Sequence, residues 1–335
     1  MASTGTVVNY PSANSLQLPK IPASAWVIAN ANTGQVLAAR DPHGEFGPAS
    51  TLKVLTAITL IPLLNPNSMI PTSTFAASQE PASAGLIAGR SYKVSSLFQA
   101  LLLISANDAA VSLTEATGSF AKGMALINAE ARRLQAYDVV AKLPNGLPAA
   151  GQVTSAYDEA LIARQALKMS SFMIYDSTLS ARFEVKPKKW ETLVNQNDLL
   201  TKYPGALGGK IGWTISSGAT YVGMARRNGV TLIVSVLHCQ SLQEITAGEK
   251  LLNWGFAMNS KVKPVGELVA PVSAATHAKG AKKRSDTLAS SRPPNGTVAT
   301  KVALASGGAV VLAGLSLGGV ATRRRRKRRR LRHLW

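Results

Sequence analysis

The chain has 335 residues and a net charge of +20, and hydrophobic residues make up 46% of it. That apolar content supports a folded core and excludes a generally disordered protein. The single cysteine, Cys239, excludes an intramolecular disulfide. The four histidines have no metal-ligand spacing, so we expect no metal, and nothing else in the sequence points to a cofactor.

Residues 1–24 lack the basic start and the apolar core of a signal peptide. We interpret them as a loosely ordered leader onto the first strand. An exported protein with this beginning would need either a start further upstream in the gene or another export route.

Ser50 and Lys53 stand at the head of an apolar run, Val54 to Leu64, which predicts a helix. Residues i and i+3 share a helix face, so the lysine amine can reach the serine hydroxyl. The helix N-terminus favours developing oxyanion charge, and burial would lower the proton affinity of the lysine. Lys53 could then act as a base toward Ser50, although a helix cap beside a solvated lysine has the same spacing.

Ser105 and Asn107 lie between two predicted helices, an apolar one over Leu97 to Ile104 and another that begins near Asp108. One interpretation is that they only cap the second helix. The other places both side chains at a corner that faces Ser50. A hydroxyl there could relay a proton to a leaving amine, and an amide could hold a substrate carbonyl.

Lys210 lies in a glycine-rich stretch, Gly208 to Thr214, before two β-rich segments. Those segments, Tyr221 to Arg226 and Val230 to Leu237, are joined by an Asn-Gly turn signal and predict a hairpin. We therefore expect a strand beside the hairpin. Its glycines would let a substrate backbone approach closely, and its lysine would attract a carboxylate. An ordinary edge-strand lysine is the structural alternative.

Ser50-Thr51-Leu52-Lys53, Ser105-Ala106-Asn107 and Lys210-Ile211-Gly212 together resemble the S-x-x-K, S-x-N and K-T-G set of penicillin-recognising serine enzymes. From about residue 25 to about residue 258, the chain resembles a D-alanyl-D-alanine carboxypeptidase, a low-molecular-mass penicillin-binding protein. Other stretches that look like segments of that family are Trp26-Val27-Ile28, Asn32 to Leu37, Pro48-Ala49, Pro144 to Leu147, Thr154 to Asp158 and Asn195 to Leu200.

The resemblance implies an α/β (α+β) fold of the β-lactamase/transpeptidase-like type. An antiparallel sheet of about five strands would combine a hairpin, Ala25 to Arg40, with the strands from Gly209 to Leu237. A helix over Leu242 to Met258 would pack on the sheet. A helical region from Ser50 to about Lys168 would carry the first two motifs, with the active site in the cleft between.

The resemblance also implies site roles. Ser50 would attack the carbonyl of the penultimate D-alanine of a peptidoglycan pentapeptide, Lys53 would accept its proton, and Ser105 would pass a proton to the leaving D-alanine. A β-lactam would acylate Ser50 in the same way. The oxyanion hole would be the N–H groups of Ser50 and Trp213. The implied substrate-binding residues are Asn107, Lys210, Gly212, Trp213 and Thr214.

Ile211 departs from the family, which has threonine or serine there to hydrogen-bond the substrate carboxylate. Losing one charge-assisted hydrogen bond costs about 1.5–3 kcal/mol. Thr214 is no obvious substitute, because strand alternation places it on the opposite face from Ile211. Two outcomes stay open: a slowed enzyme with altered substrate preference, or a degenerate protein that binds peptidoglycan without turnover.

A β-lactamase is a further alternative, and it would need a base that activates a deacylating water. The sequence offers no motif like the glutamate loop of the class A enzymes. Glu184 and Glu191 lack the expected neighbours. Glu159 falls in a predicted helix, Tyr157 to Leu167, where we expect a solvated face.

After the peptidase domain, assigned to residues 25–260, residues 261–301 predict a flexible linker, although 262–272 could add a short strand or two. Residues 302–322 are uncharged and long enough for a transmembrane helix. Residues 323–335 are strongly basic, which favours a cytoplasmic tail on anionic lipid over nucleic-acid binding. We therefore expect a single-pass protein of the cell membrane with its catalytic domain outside.

Overall fold

The structure is a computed structural model and describes residues 3–272. The strands are β1 (Thr6–Val8), β2 (Ala23–Asn30), β3 (Gln35–Arg40), β4 (Met69–Pro71), β5 (Ser91–Lys93), β6 (Ser180–Lys186), β7 (Lys189–Val194), β8 (Ala206–Thr214), β9 (Gly218–Arg227), β10 (Val230–Cys239) and β11 (Gly266–Glu267). The helices are α1 (Leu52–Leu60), α2 (Thr74–Ala77), α3 (Val94–Leu103), α4 (Asn107–Glu115), α5 (Phe120–Arg133), α6 (Ala156–Ala166), α7 (Ser170–Asp176), α8 (Leu199–Lys202) and α9 (Glu244–Met258).

Within that range the main sheet has seven strands in the order β1-β3-β2-β10-β9-β8, and β11 pairs with β3. All of its pairings are antiparallel. β9 and β10 form the predicted hairpin, which turns at Asn228 and Gly229, both of positive φ. β8 pairs only with β9 among the described strands, so its other edge is free to face a ligand.

The sheet separates two apolar cores because side chains alternate between its faces. On β2, Val27 belongs to the core shared with the helical region, and Trp26 and Ile28 belong to the core beneath α9. α6 packs on the first face and α9 on the second. This is the predicted arrangement of an antiparallel sheet between helical layers.

The ends of the described chain differ from the sequence interpretation. β1 lies within the segment that we assigned to a leader, and it pairs with β3. β11 lies within the segment that we assigned to a linker, and it also pairs with β3, as the alternative of a short added strand allowed. Both are three residues or shorter, too short for a periodic signal to mark them. The sheet is therefore wider than the expected five strands.

Among residues 3–272, no helix is long and apolar enough to cross a membrane. The predicted linker beyond residue 272, the transmembrane segment 302–322 and the basic tail lie outside the described residues.

A loop closes over the short 3-10 turn, Ala49–Thr51, that precedes α1. Gly146 in that loop has φ +83°, and a Cβ added there would lie 1.7 Å from the Ala49 carbonyl oxygen. No rotation of a side chain can relieve a clash with backbone. The loop can therefore approach the turn this closely only with glycine at position 146.

We expect Gly146→Ala to destabilise the protein by several kcal/mol more than Gly229→Ala in urea or thermal unfolding. Both glycines have φ near +80°, but an added Cβ at Gly229 meets nothing within 4 Å. The control therefore carries only the strain of a left-handed alanine, about 1–2 kcal/mol. Equal losses of stability in the two variants would contradict the close contact with Ala49.

Candidate active site

The Lys53 amine is the centre of the site. It is fully buried, and Nζ donates to Ser50 Oγ (2.8 Å), Asn107 Oδ1 (2.8 Å) and the Asn145 carbonyl oxygen (2.7 Å). Ser50 lies in the 3-10 turn Ala49–Thr51, two residues before the start of α1, and Lys53 is on the first turn of α1. Helical geometry thus brings the two side chains together, as the i, i+3 spacing predicts.

Burial lowers the pKa of Lys53 well below its usual value, and the nearby charge of Lys210 lowers it further. The negative charge of Asp108, whose oxygens accept from the Ala84 and Leu86 N–H groups, opposes this lowering of the pKa. A lysine of lowered pKa, in hydrogen-bond contact with a serine hydroxyl, has the geometry and the proton affinity of a general base.

The corner between α3 and α4 supplies Ser105 and Asn107. Ser105 has φ +63°, a conformation that costs a non-glycine residue about 1–2 kcal/mol and that often occurs at functional sites. Its hydroxyl is buried and has no hydrogen-bond partner within residues 3–272. Asn107 accepts from Lys53 and donates from Nδ2 to the Glu80 carbonyl oxygen (2.8 Å), so its amide orientation is fixed.

Strand β8 forms the opposite wall. A Cβ added to Gly212 would lie 2.5 Å from the Ser50 backbone nitrogen, so glycine lets the strand pass directly against Ser50. Trp213 follows, with its side chain 57% exposed and its indole Nε1 donating to Ser241 Oγ (2.8 Å). Ser50 N–H is among the first N–H groups of its helix, which have no partner within the helix.

Lys210 is buried, and its Nζ donates to the Ile211 carbonyl oxygen (2.7 Å). Burial lowers its pKa to about 8, and the negative charge of Asp176 opposes that shift. Asp176 is itself buried, accepts from the Gly209 N–H (2.7 Å), and has its pKa raised by burial to about 7. Lys210 therefore carries a positive charge at neutral pH.

These elements enclose one cavity of about 190 Å³. All the sequence-predicted site residues line it except the two lysines, which lie buried behind its wall. The predicted residues in the lining are Ser50, Ser105, Asn107, Gly212, Trp213 and Thr214. Ile211 also lines the cavity, so an aliphatic side chain occupies the position where the family would place a hydroxyl.

Thr214 has another hydrogen-bonding role besides lining the cavity. Its Oγ1 donates to Ser217 Oγ (2.8 Å) and accepts from the Ser217 backbone N–H (3.0 Å). The hydroxyl thus closes the turn between β8 and β9. It is occupied there, which agrees with the expectation that Thr214 does not replace the hydroxyl missing at position 211.

Sequence reasoning missed two supporting residues. Asn145 was noted only as part of a family-like segment, yet its carbonyl accepts directly from Lys53. The Asn-Gly pair at 145 and 146 is a turn signal that could have placed it beside Ser50. Asp176, at the end of α7, has no motif around it, and only the fold brings it to Lys210.

The expectation of a solvated face for Glu159 is wrong. Glu159 is fully buried in α6, and desolvation raises its pKa to about 7, opposed by the neighbouring hydroxyls of Thr154 and Thr51. α6 lies between the sheet and α1, so this face of the helix is covered by packing that sequence periodicity does not reveal. Glu159 does not line the Ser50 cavity.

The other two glutamates weighed for a β-lactamase base lie on the β6–β7 hairpin. Glu184 pairs with Arg90 (2.9 Å) and Glu191 with Lys189 (3.1 Å). Neither lines the Ser50 cavity. None of the three glutamates weighed for that role is therefore placed to activate a water beside Ser50.

A sequence profile of D-alanyl-D-alanine carboxypeptidases, peptidase family S11, matches residues 12–241. The chain belongs to this family. It is 35% identical over 262 residues to a D-alanyl-D-alanine carboxypeptidase of Mycobacterium tuberculosis, covering 76% of this chain and 89% of the relative. It is 28% identical over 242 residues to one of Bacillus subtilis, covering 70% of this chain and 62% of that protein.

Solved structures agree with the family. The crystal structure of a D-alanyl-D-alanine carboxypeptidase from Mycobacterium tuberculosis has a TM-score of 0.73 at 34% identity, covering 78% of this chain and 99% of that one. A variant of the Streptomyces K15 DD-transpeptidase has a TM-score of 0.66 at 26% identity, covering 71% and 99%. The predicted transpeptidase-like fold is therefore confirmed.

We expect the rate at which a penicillin acylates Ser50 to fall as the pH rises above about 8. Penicillin carries a carboxylate, and Lys210 loses its charge above its pKa of about 8. Asp176→Asn removes the charge that holds this pKa up, so the decline should move to lower pH. Intact-mass measurement of acylation against time, at pH values from 6 to 10, gives the profile.

Asp198→Asn is the matched control, because Asp198 is an exposed acid that pairs with Lys202. Its profile should follow the wild type. Two outcomes would contradict the role given to the Lys210 charge. One is a wild-type rate that stays level through pH 10, and the other is a decline that occurs at the same pH in Asp176→Asn as in wild type.

Proposed function

We propose that this protein is a serine-type D-alanyl-D-alanine carboxypeptidase that cleaves peptidoglycan stem peptides through an acyl-enzyme on Ser50. The observation that carries the proposal is the 2.8 Å hydrogen bond between Ser50 Oγ and a buried Lys53 of lowered pKa. A serine that served only as a helix cap would not need a buried lysine of lowered pKa beside it. Membership of the carboxypeptidase family supports the choice of reaction.

In the acylation step, Ser50 Oγ forms a bond to the carbonyl carbon of the penultimate D-alanine, and its proton passes to Lys53. The carbonyl oxygen becomes an oxyanion, which the N–H groups of Ser50 and Trp213 would hold. Preorganised donors of this kind contribute about 3–4 kcal/mol each to lowering the barrier. Asn107, whose amide is fixed by two hydrogen bonds, would hold the substrate backbone.

In the breakdown of that intermediate, the peptide C–N bond breaks and the nitrogen of the leaving D-alanine takes up a proton. The unpartnered Ser105 hydroxyl lines the cavity and would relay it. Lys210 would stabilise the negative charge of the substrate. Water then attacks the ester, returns a proton through Lys53, and releases the shortened peptide with its new carboxylate.

Ile211 favours one alternative, a degenerate protein that binds peptidoglycan without efficient turnover. It lines the cavity and offers no hydroxyl, and the Thr214 hydroxyl is engaged in its own turn. The Ser50–Lys53–Asn107 hydrogen bonds remain in place, which favours a slowed enzyme over loss of activity.

We further propose β-lactams as covalent inhibitors, since the strained amide would acylate Ser50 while its leaving group stays tethered. The uncharged segment 302–322 and the basic residues after it support a membrane anchor with the catalytic domain outside the cell. A catalytic domain outside the cell membrane is consistent with peptidoglycan as the substrate.

Incubation of the full chain with benzylpenicillin should add the mass of one drug molecule to the wild type and none to Ser50→Ala. The hydroxyl is the only group removed in that variant, and circular dichroism would check that it folds. Absence of an adduct on wild type and on Ile211→Thr alike, at millimolar drug, would sink the acyl-enzyme proposal.

We expect Ile211→Thr to raise the acylation rate by penicillin about tenfold to a hundredfold, because it restores one charge-assisted hydrogen bond to the drug carboxylate. Ile211→Val is the matched control, since it has the β-branched shape of threonine without the hydroxyl. Equal rates in the two variants would show that the hydroxyl is not what limits this site.

A further inference from the structure

Glu244 is a buried acid in the Ser50 cavity to which the mechanism above gives no role. It is the first residue of α9, it is only 9% exposed, and it lines the same cavity as Ser50, Ser105 and Ile211. Its Oε2 atom is buried and has no hydrogen-bond partner anywhere in residues 3–272. A buried carboxylate oxygen without a donor is costly, so its presence calls for an explanation.

Helix stabilisation alone does not explain this burial. An acid in the first turn interacts favourably with the helix dipole, but an exposed carboxylate does so without losing its hydration. Glu244 instead faces a cavity large enough for part of a ligand. The missing donor is therefore one that a ligand can bring.

Glu244 and Ile211 lie on the same side of β8. Ile211 is paired with Tyr221 of β9 and packs against the apolar core beneath α9. The segment that leads into α9 is fixed to β8 by the hydrogen bond from Trp213 Nε1 to Ser241 Oγ. We call the surface made by Ile211, Trp213 and Glu244 the α9 wall.

The α9 wall is poorly matched to a free carboxylate. Ile211 stands where the family has a hydroxyl, so the wall lacks that hydrogen-bond donor. Glu244 adds a carboxylate, which is an acceptor that bears negative charge. Two carboxylates within a cavity of about 190 Å³ repel one another. A primary carboxamide has the opposite character, since its N–H groups can donate to Glu244 and its carbonyl oxygen still accepts from a cationic lysine.

We propose that Glu244 is a specificity-determining residue of the leaving-group subsite, which prefers a leaving D-amino acid with a carboxamide in place of its terminal carboxylate. The inference rests on the proposed acyl-enzyme function of Ser50. The reaction keeps its balance: the same peptide C–N bond breaks, the ester forms on Ser50, and the amidated amino acid leaves with the proton that D-alanine would have taken.

The test compares two diacetyl-L-lysyl peptides, one ending in D-alanyl-D-alanine and the other in D-alanyl-D-alaninamide. Mass spectrometry of the released products gives kcat/KM for each on the full chain. We expect wild type to favour the amide about tenfold or more, as one charge-assisted hydrogen bond gained would give. Glu244→Gln, which keeps the shape and removes the charge, should lower that ratio about tenfold.

Glu249→Gln is the matched control, because Glu249 is another acid of α9 that does not line the cavity. Its ratio should equal that of wild type. Since each ratio compares two substrates on one enzyme, a loss of folded protein cancels. Preference of wild type for the free acid would overturn the proposal, and so would an amide preference that survives Glu244→Gln.

The same comparison separates this inference from the function beneath it. If penicillin labels Ser50 but the peptide ratios contradict the expectation, only the subsite is wrong. If Ser50 is never acylated, the acyl-enzyme function fails. In that case the preference can still be tested without turnover, from the dissociation constants of the two peptides on Ser50→Ala with and without Glu244→Gln.

Discussion

The burial of one amine organises the active site. Lys53 is fully buried, so its Nζ must find acceptors within the protein, and it finds them on the turn before α1, on α4 and on the loop after α5. Three separate parts of the chain are thereby held at one point. The same burial that demands these partners lowers the pKa of the amine, so structural order and base strength have one cause.

Close backbone approach completes the site, and glycine makes it possible at two positions. Gly146 allows its loop to reach the turn that carries Ser50, and Gly212 allows β8 to pass the Ser50 nitrogen. Ser50 is thus packed between a loop and a sheet edge. Positive φ at Ala49 and at Ser105 shows that the backbone is also strained at two of the functional corners.

The acylating half of the site and the α9 wall differ in how closely they follow the family. Ser50, Lys53, Ser105 and Asn107 keep the family motifs, whereas Ile211 departs from them and lines the cavity together with Glu244. In the function proposed above, chemistry at Ser50 depends on the first set, and preference among leaving groups depends on Ile211 and Glu244. A chain can therefore keep its nucleophile while changing which substrates it accepts.

The sequence by itself determined the β9–β10 hairpin and the Ser50–Lys53 pair, because turn residues and an i, i+3 spacing are local properties. Its three motifs also carried the family resemblance that implied the fold class. The sequence also placed the departure at Ile211. Only the tertiary structure decided that Glu159 is buried and that β1 and β11 join the sheet. It also decided that Asn145 contacts Lys53, that Asp176 lies near Lys210, and that Glu244 lines the Ser50 cavity. Those features depend on which surfaces cover one another across long stretches of chain, and no short-range pattern records that.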